Sequence, residues 1–301
     1  MSVPAYDPRA TPHISYNRFG PYQIESVLGQ GAVAIVYAAR DRAGNRVVLK
    51  VLTRPAAAQQ TVRTGFMREY RTLSKLRHRN IVRAFDTGEV DGYFYMTLER
   101  IDGETLDGYL LRNKKLGEDA AVGMVRQVAS ALDYLHAQGF VHRDVKPANL
   151  LLARDGRIVL FDFGTVLDMN NPDAEDVMGV YGTPAFLAPE QVRNEVVDGR
   201  ADLYALGIIL YLMVTGRKPF YGGRNEVLDA HLHQPPPPPS EFAHVSPDLE
   251  AVILKLLAKE PADRYQTGGE LVAALDEISL TPEPERPDVG QRLMRWLRSP
   301  S

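Results

Sequence analysis

The periodicity of apolar positions changes near residue 102. From Tyr22 the chain runs in short β-rich segments, Tyr22–Leu28, Ala34–Arg40 and Arg46–Leu52. Gly29 and Gly31 punctuate the first pair and Ala43-Gly44-Asn45 turns between the second. Alternating runs of this length, bounded by glycine and asparagine, predict strands joined by tight turns. A helical period follows, with Phe66, Leu73 and Leu76 on one side and Glu69 on another. Ile81–Phe85 and Tyr93–Leu98 predict two further strands. Five strands and one helix make a small lobe over residues 21–101.

Beyond Asp102 the period is helical. Ala121, Val125, Val128, Leu132 and Leu135 recur at spacings of three and four, and Gly139 supplies a stop. Further helices are predicted over Asp202–Thr215, Asn225–His233, Pro247–Leu257 and Thr267–Ile278, which gives a larger, mostly helical lobe over 102–279. Pro235–Pro239 has no amide hydrogens to continue a helix and predicts a polyproline II connector. The most apolar stretch, Leu203–Val214, is too short to span a bilayer and predicts a buried core helix.

The ends differ from this pattern. Residues 1–20 are polar, dotted with proline and without an apolar core, so a flexible N-terminal extension without a secretory signal is expected. Residues 280–301 read as a proline-rich linker and a short basic amphipathic tail, with Arg292, Arg295 and Arg298 among Leu293, Met294, Trp296 and Leu297. Residues 291–298 could make a weak contact with a membrane surface or a protein groove; a frayed or self-docked tail is the plainer reading.

Composition sets bounds. At 301 residues the chain suits one two-lobed enzyme, and 45% hydrophobic with 24% charged residues is ordinary for a globular protein. A net charge of −3 gives no electrostatic case for nucleic acid as the main partner. With no cysteine, disulfides, thiolate metal sites and cysteine nucleophiles are excluded. The seven histidines show no metal-ligand spacing. The expectation is a soluble, cytoplasmic protein with no integral span and no appended sensor domain.

The chemistry concentrates in His142-Arg143-Asp144-Val145-Lys146-Pro147-Ala148-Asn149, followed by Asp162-Phe163-Gly164. Phosphoryl transfer needs a carboxylate to receive a hydroxyl proton, a cation against developing charge, and oxygen ligands for Mg²⁺. This span holds all of them. Upstream lie Gly29-Gln30-Gly31-Ala32-Val33-Ala34 and Val47-Val48-Leu49-Lys50; downstream lie Gly182-Thr183-Pro184 through Ala188-Pro189-Glu190 and Pro261-Ala262-Asp263-Arg264. Taken in this order, the set resembles the eukaryotic-type protein kinases, in particular the serine/threonine branch common in bacteria.

The resemblance covers roughly Tyr22 to Ile278 and implies an α+β, two-lobed protein kinase fold: a small antiparallel β-sheet lobe with one main helix, and a larger helical lobe. It implies Asp144 as catalytic base or orienter and Lys146 as the catalytic cation. Asn149 and Asp162 would hold Mg²⁺. ATP would be held by Leu28, Gly29, Gln30, Gly31, Val36, Val48, Lys50, Glu69, Leu98, Glu99 and Ile101 together with Asn149 and Asp162. Within that set Lys50 would contact phosphates and pair with Glu69. Leu98 would back the adenine, and Glu99-Arg100-Ile101 would be the hinge. Thr183 would bridge Asp144 and Lys146, Glu190 would pair with Arg264, and Asp202 would tether the catalytic loop. His142 would be structural. The family's third loop glycine is Ala34 here, and the small residue two before the lysine is Val48.

The segment between Asp162 and Glu190 departs further from its relatives. Its only hydroxyl side chains are Thr165, Tyr181 and Thr183. The usual phosphorylatable threonines, six and eight residues before Thr183, are Val177 and Glu175. A carboxylate from Asp173, Glu175 or Asp176 facing Arg143 in place of a phosphate, or a solvated acidic loop, are equal expectations. For function, the resemblance implies a protein serine/threonine kinase acting on protein substrates in bacterial signalling. A nucleotide-binding pseudokinase scaffold and a small-molecule kinase stay open as alternatives.

Overall fold

The computed structural model describes residues 17–171 and 182–278. The N-terminal part is a six-stranded antiparallel sheet in the order β1-β2-β3-β4-β6-β5. Its strands are β1 (Arg18–Phe19), β2 (Tyr22–Gln30), β3 (Ala34–Arg40), β4 (Arg46–Leu52), β5 (Ala84–Val90) and β6 (Tyr93–Glu99). Between β4 and β5 lie a short helix α1 (Arg54–Ala57) and the long α2 (Gln60–Lys75). Helix α2 buries Phe66 and Leu73, so the face seen in the sequence is the packed one.

Two readings are corrected here. Arg18–Phe19, placed in the N-terminal extension by the sequence, pairs with β2 through Phe19↔Tyr22, and Phe19 is buried edge-on to Tyr95. A two-residue strand is too short to show a period. The strand expected over Ile81–Phe85 begins three residues later, at Ala84. Ile81 instead bridges in parallel to Leu160, so its apolar side chain belongs to the junction between lobes rather than to the sheet.

The rest is mainly helical: α3 (Leu106–Asn113), α4 (Glu118–Ala137), α5 (Pro189–Val192), α6 (Gly199–Thr215), α7 (Arg224–His233), α8 (Pro247–Leu256) and α9 (Gly268–Glu277). Short strands β7 (Gly103–Thr105), β9 (Leu150–Ala153) and β10 (Ile158–Leu160) form one small sheet, and β8 (Phe140–Val141) pairs with β11 (Leu167–Asp168). Helix α6 is the hub. Almost every residue from Ala201 to Val214 is buried, as the uniform apolarity of Leu203–Val214 predicted. It packs on α4 and α8, and removing a buried leucine here costs about 2–5 kcal/mol. Thr105, Asp198, Ser246 and Thr267 accept backbone N–H bonds at the starts of α3, α6, α8 and α9, so local side-chain chemistry sets where these helices begin. Gln234–Pro238 has no regular secondary structure, and Pro239 opens a 3₁₀ turn.

Among the described residues no helix is long and apolar enough to cross a membrane. Most of the N-terminal extension and the whole basic tail at 291–298 lie outside the described residues, as do Asp173, Glu175 and Asp176.

Candidate active site

A cleft of about 610 Å³ lies between the sheet and the helical part. Twelve residues expected to hold nucleotide line it: Leu28, Gly29, Gln30, Gly31, Val36, Val48, Lys50, Glu69, Leu98, Glu99, Ile101 and Asp162. Val82, Gly103, Glu104, Thr105, Leu151 and Phe161 join them without having been singled out in the sequence. They come from the lobe junction and the small β7-β9-β10 sheet. Leu151 and Phe161 stand near Asn149 and Asp162 in the chain, within unbroken apolar runs that carry no sign of the cavity they face. A larger concavity of about 770 Å³, bordered by Tyr22, Arg46 and Phe85, holds none of the phosphoryl-transfer set.

The roof is the β2–β3 turn. A Cβ placed on Gly29 would meet no protein atom within 4 Å, so the fold itself does not demand glycine there. The bare backbone is instead open to a ligand, as close phosphate approach requires. On β4, Lys50 Nζ donates to Glu69 Oε1 and Oε2 at 2.7 and 2.8 Å and lies 3.7 Å from Asp162 Oδ1. Burial alone would depress the ammonium pKa, but Glu69 and Asp162 outweigh it and hold it above the lysine range. The cation therefore stays charged in the cleft.

The floor is the segment between β8 and β9. Asp144 Oδ2 accepts Lys146 Nζ at 2.6 Å, while its Oδ1 accepts the Thr183 N–H at 3.0 Å and the Thr183 hydroxyl at 3.1 Å. Lys146 also donates to Thr183 Oγ1 at 2.9 Å, so the hydroxyl links both charged groups. Asn149, buried, donates Nδ2 to the Asp144 carbonyl at 2.9 Å and to Oδ2 at 3.2 Å, which directs its Oδ1 away from Asp144. It does not line the cleft directly. Gly182 has φ +115°, and a Cβ there would sit 2.8 Å from the Arg143 carbonyl, so glycine lets this segment approach the loop.

The loop is held from beneath by Asp202 on α6. Its Oδ2 accepts His142 N–H at 2.9 Å and its Oδ1 accepts Arg143 N–H at 2.8 Å. His136 Nε2 lies 2.8 Å from Oδ2. Burial would raise this carboxyl's pKa, yet the His136 hydrogen bond, followed by histidine charge and backbone N–H groups, holds it below the usual range. These bonds pin Arg143 at φ 66°; Asp162, at φ 64°, is the other non-glycine residue of the site in the left-handed region. Such conformations cost on the order of 1 kcal/mol each and persist where the surroundings over-determine them. His142 is fully buried, edge-on to Phe163 at 4.9 Å, and burial keeps it neutral, in keeping with a structural part. Arg143 Nε donates to the Thr165 carbonyl at 2.7 Å.

These elements define a protein kinase domain, and the chain belongs to that family: the protein kinase domain model matches residues 22–273. Among curated relatives, the chain is 37% identical over 271 residues to serine/threonine-protein kinase PknE of Mycobacterium tuberculosis, covering 89% of this chain and 48% of that protein. It is 38% identical over 261 residues to a probable serine/threonine-protein kinase of Streptomyces coelicolor, covering 84% and 39%. Against serine/threonine-protein kinase PknB of Mycolicibacterium smegmatis it is 36% identical over 278 residues, covering 89% and 44%. The chain spans less than half the length of these relatives.

Proposed function

We propose that this chain is an ATP- and Mg²⁺-dependent serine/threonine protein kinase, acting on protein substrates from the cytoplasm. The observation that carries the reading is the joint placement of Asp144, Lys146 and Thr183 within hydrogen-bond reach of one another, beside a cleft holding a charged Lys50. The names of the relatives support the same activity.

Each residue then has a physical task. The Lys50 ammonium, fixed by Glu69, meets phosphate oxygens under the glycine turn, while Leu28, Val36, Val48 and Leu98 give the purine apolar walls. Glu99 and Ile101 offer backbone groups to the base edge. Asp144 orients the acceptor hydroxyl and takes its proton; the oxygen of that hydroxyl forms the new P–O bond as the bond to the nucleoside diphosphate breaks. Lys146 lies beside Asp144 to offset charge on the moving phosphoryl.

A divalent cation fits the remaining donors. Asp162 keeps a half-exposed carboxylate facing the cleft, and Asn149 offers its amide oxygen. Among the described residues no cluster of three or more acidic or histidine side chains could hold a metal alone. That suits Mg²⁺, which takes one or two protein oxygens and shares the rest with phosphate and water. When bound, it would neutralise phosphate charge. A nucleotide-binding scaffold without transfer would need a missing group, and here Lys50, Glu69, Asp144, Lys146, Asn149 and Asp162 are all present.

The test is transfer from labelled ATP with Mg²⁺ to a generic protein acceptor, beside an Asp144→Asn control. A positioned proton acceptor contributes ~10²–10⁴-fold, and the control should fall by that much. Parent protein that binds ATP yet labels no acceptor sinks the proposal.

A further inference from the structure

Behind the hinge the surface carries a concentration of like charge that the catalytic site does not use. Arg77, Arg79 and Arg83, on the connection from α2 to β5, and Arg154, on the β9–β10 turn, are all exposed. None of the four makes an ion pair among the described residues. Hydrogen bonds bring the segments of three of them together: Glu99 N–H donates to the Arg83 carbonyl at 2.8 Å, Arg154 N–H to the Asp102 carbonyl at 3.0 Å, and Arg157 Nη1 to the Arg79 carbonyl at 3.1 Å, while Arg77 turns its Nη1 onto the Ser74 and Leu76 carbonyls. Neighbouring carboxylates have partners of their own: Asp102 bonds Arg46 and Asp155 bonds Arg157, both at 2.8 Å, and Glu99 lies 3.8 Å from Arg157.

The Arg79, Arg83 and Arg154 guanidinium groups repel one another, and the chain as a whole is acidic, so the cluster is not part of a general basic excess. The field is felt locally: burial, with the Arg79 charge added, holds the His78 imidazole below its usual range. The cationic face is also short. It ends at exposed Asp86, Glu89 and Asp91 on β5 and its turn.

We propose that this face docks a short acidic segment of a partner protein. Guanidinium forks match carboxylates in paired hydrogen bonds. A long polyphosphate backbone would run into the three bordering carboxylates. The adjacent aromatic ring, Phe85, lies under the Arg83 guanidinium at 5.6 Å and so does not present a bare face for base stacking. A membrane surface would require a free apolar anchor beside the charges, and the large exposed apolar side chain there, Phe85, carries the Arg83 guanidinium over its ring. A second contact away from the cleft raises a partner's local concentration without altering the site itself.

The experiment is fluorescence anisotropy of a labelled dodecapeptide rich in Asp and Glu, titrated with the full chain at low and high salt. The parent should bind, more weakly at high salt. The triple reversal Arg79→Glu/Arg83→Glu/Arg154→Glu should weaken binding by roughly tenfold or more, while retaining a fluorescent ATP analogue as a sign of intact fold. Single reversals at Arg79 and Arg154 should show the same loss in smaller steps, and Arg193→Glu, on another face, none. No binding by the parent, or equal binding by the triple variant, overturns the proposal. So does tighter binding of short duplex DNA or phosphatidylserine vesicles than of the peptide.

Discussion

Arg264 and Glu190, 74 residues apart in the chain, meet in a two-pronged ion pair: Nη1 and Nη2 donate to Oε1 and Oε2, each at 2.7 Å. Both side chains are almost wholly buried, at 0% and 3% exposure. The remaining guanidinium donors reach the carbonyls of Ala258, Arg200 and Lys259 at 2.8, 3.1 and 2.9 Å, so all five are used. The pair joins the segment after Thr183 to the turn before α9. Glu190→Ala or Arg264→Ala should each destabilise the fold by about 3–5 kcal/mol, because each strands a buried charge. The double variant Glu190→Ala/Arg264→Ala should cost less than the two singles added together. Urea unfolding of the four proteins checks this; strict additivity would show that the pair is not coupled.

The Lys50–Glu69 contact is less buried and its task is placement. Glu69→Gln keeps the shape but removes the charge that, with Asp162, offsets the burial of Lys50. Transfer rate should fall on the order of 10²-fold, as expected for a misplaced phosphate contact, with little change in melting temperature. Single-turnover kinetics and thermal melts separate the two effects. A large loss of stability with unchanged rate would assign Glu69 to structure instead.

Thr183 offers a sharper comparison. Its hydroxyl donates to Asp144 and accepts from Lys146. A hydrogen bond to a charged group contributes about 1.5–3 kcal/mol, so Thr183→Ala should slow transfer roughly 10–100-fold. Thr183→Ser retains the hydroxyl and should keep most of the rate. Equal loss in both variants would mean the methyl, not the oxygen, matters.

Acid should weaken the fold through His231. This histidine is fully buried, its Nδ1 lies 2.9 Å from the Tyr204 hydroxyl, and Phe220 meets it edge-on at 5.0 Å. Burial, reinforced by the nearby Lys259 charge, lowers its pKa from 6.5 to about 4. Well above pH 6.5 both folded and unfolded chains hold it neutral. As pH falls towards 4 the unfolded chain gains a proton that the folded one refuses, so stability is lost across that window. The loss between pH 7 and 5 is about 2 kcal/mol by linkage. His231→Gln should lose less stability over the same interval in urea titrations; an identical loss would discharge His231 from the effect.

Much of the candidate site was legible because the proposed phosphoryl transfer fixes residue types at short spacing. Asp144, Lys146 and Asn149 lie within six residues, and the chain brings them together with only a 3₁₀ turn, Pro147–Asn149. Glycines at 29 and 31, and the apolar strand carrying Lys50, mark the opposite wall. The cleft residues Val82, Leu151 and Phe161 escaped notice because nothing in a lone apolar side chain says which cavity it faces. Strands β7 to β11 were missed for a related reason: at two to four residues each, they owe their form to pairing across the chain rather than to period. Helix α3 was missed as well. Its start is marked only by Thr105, and Gly108 and Tyr109 interrupt the usual helical composition. Ile81 shows the limit most clearly, since an apolar run that looked like sheet was completing a contact with Leu160, 79 residues on.

That contact has a mechanical consequence. The Val82 N–H donates to the Leu160 carbonyl at 3.0 Å, and the Leu160 N–H to the Asn80 carbonyl at 2.8 Å, so the two halves of the molecule share main-chain hydrogen bonds there. The Asn80 side chain adds bonds to Gln127 and to the Ile158 carbonyl. A joint stitched in this way resists sliding. Movement of one half over the other would swing about residues 80–82, carrying the glycine turn through the widest arc and the cleft residue Val82, beside the joint, through the narrowest.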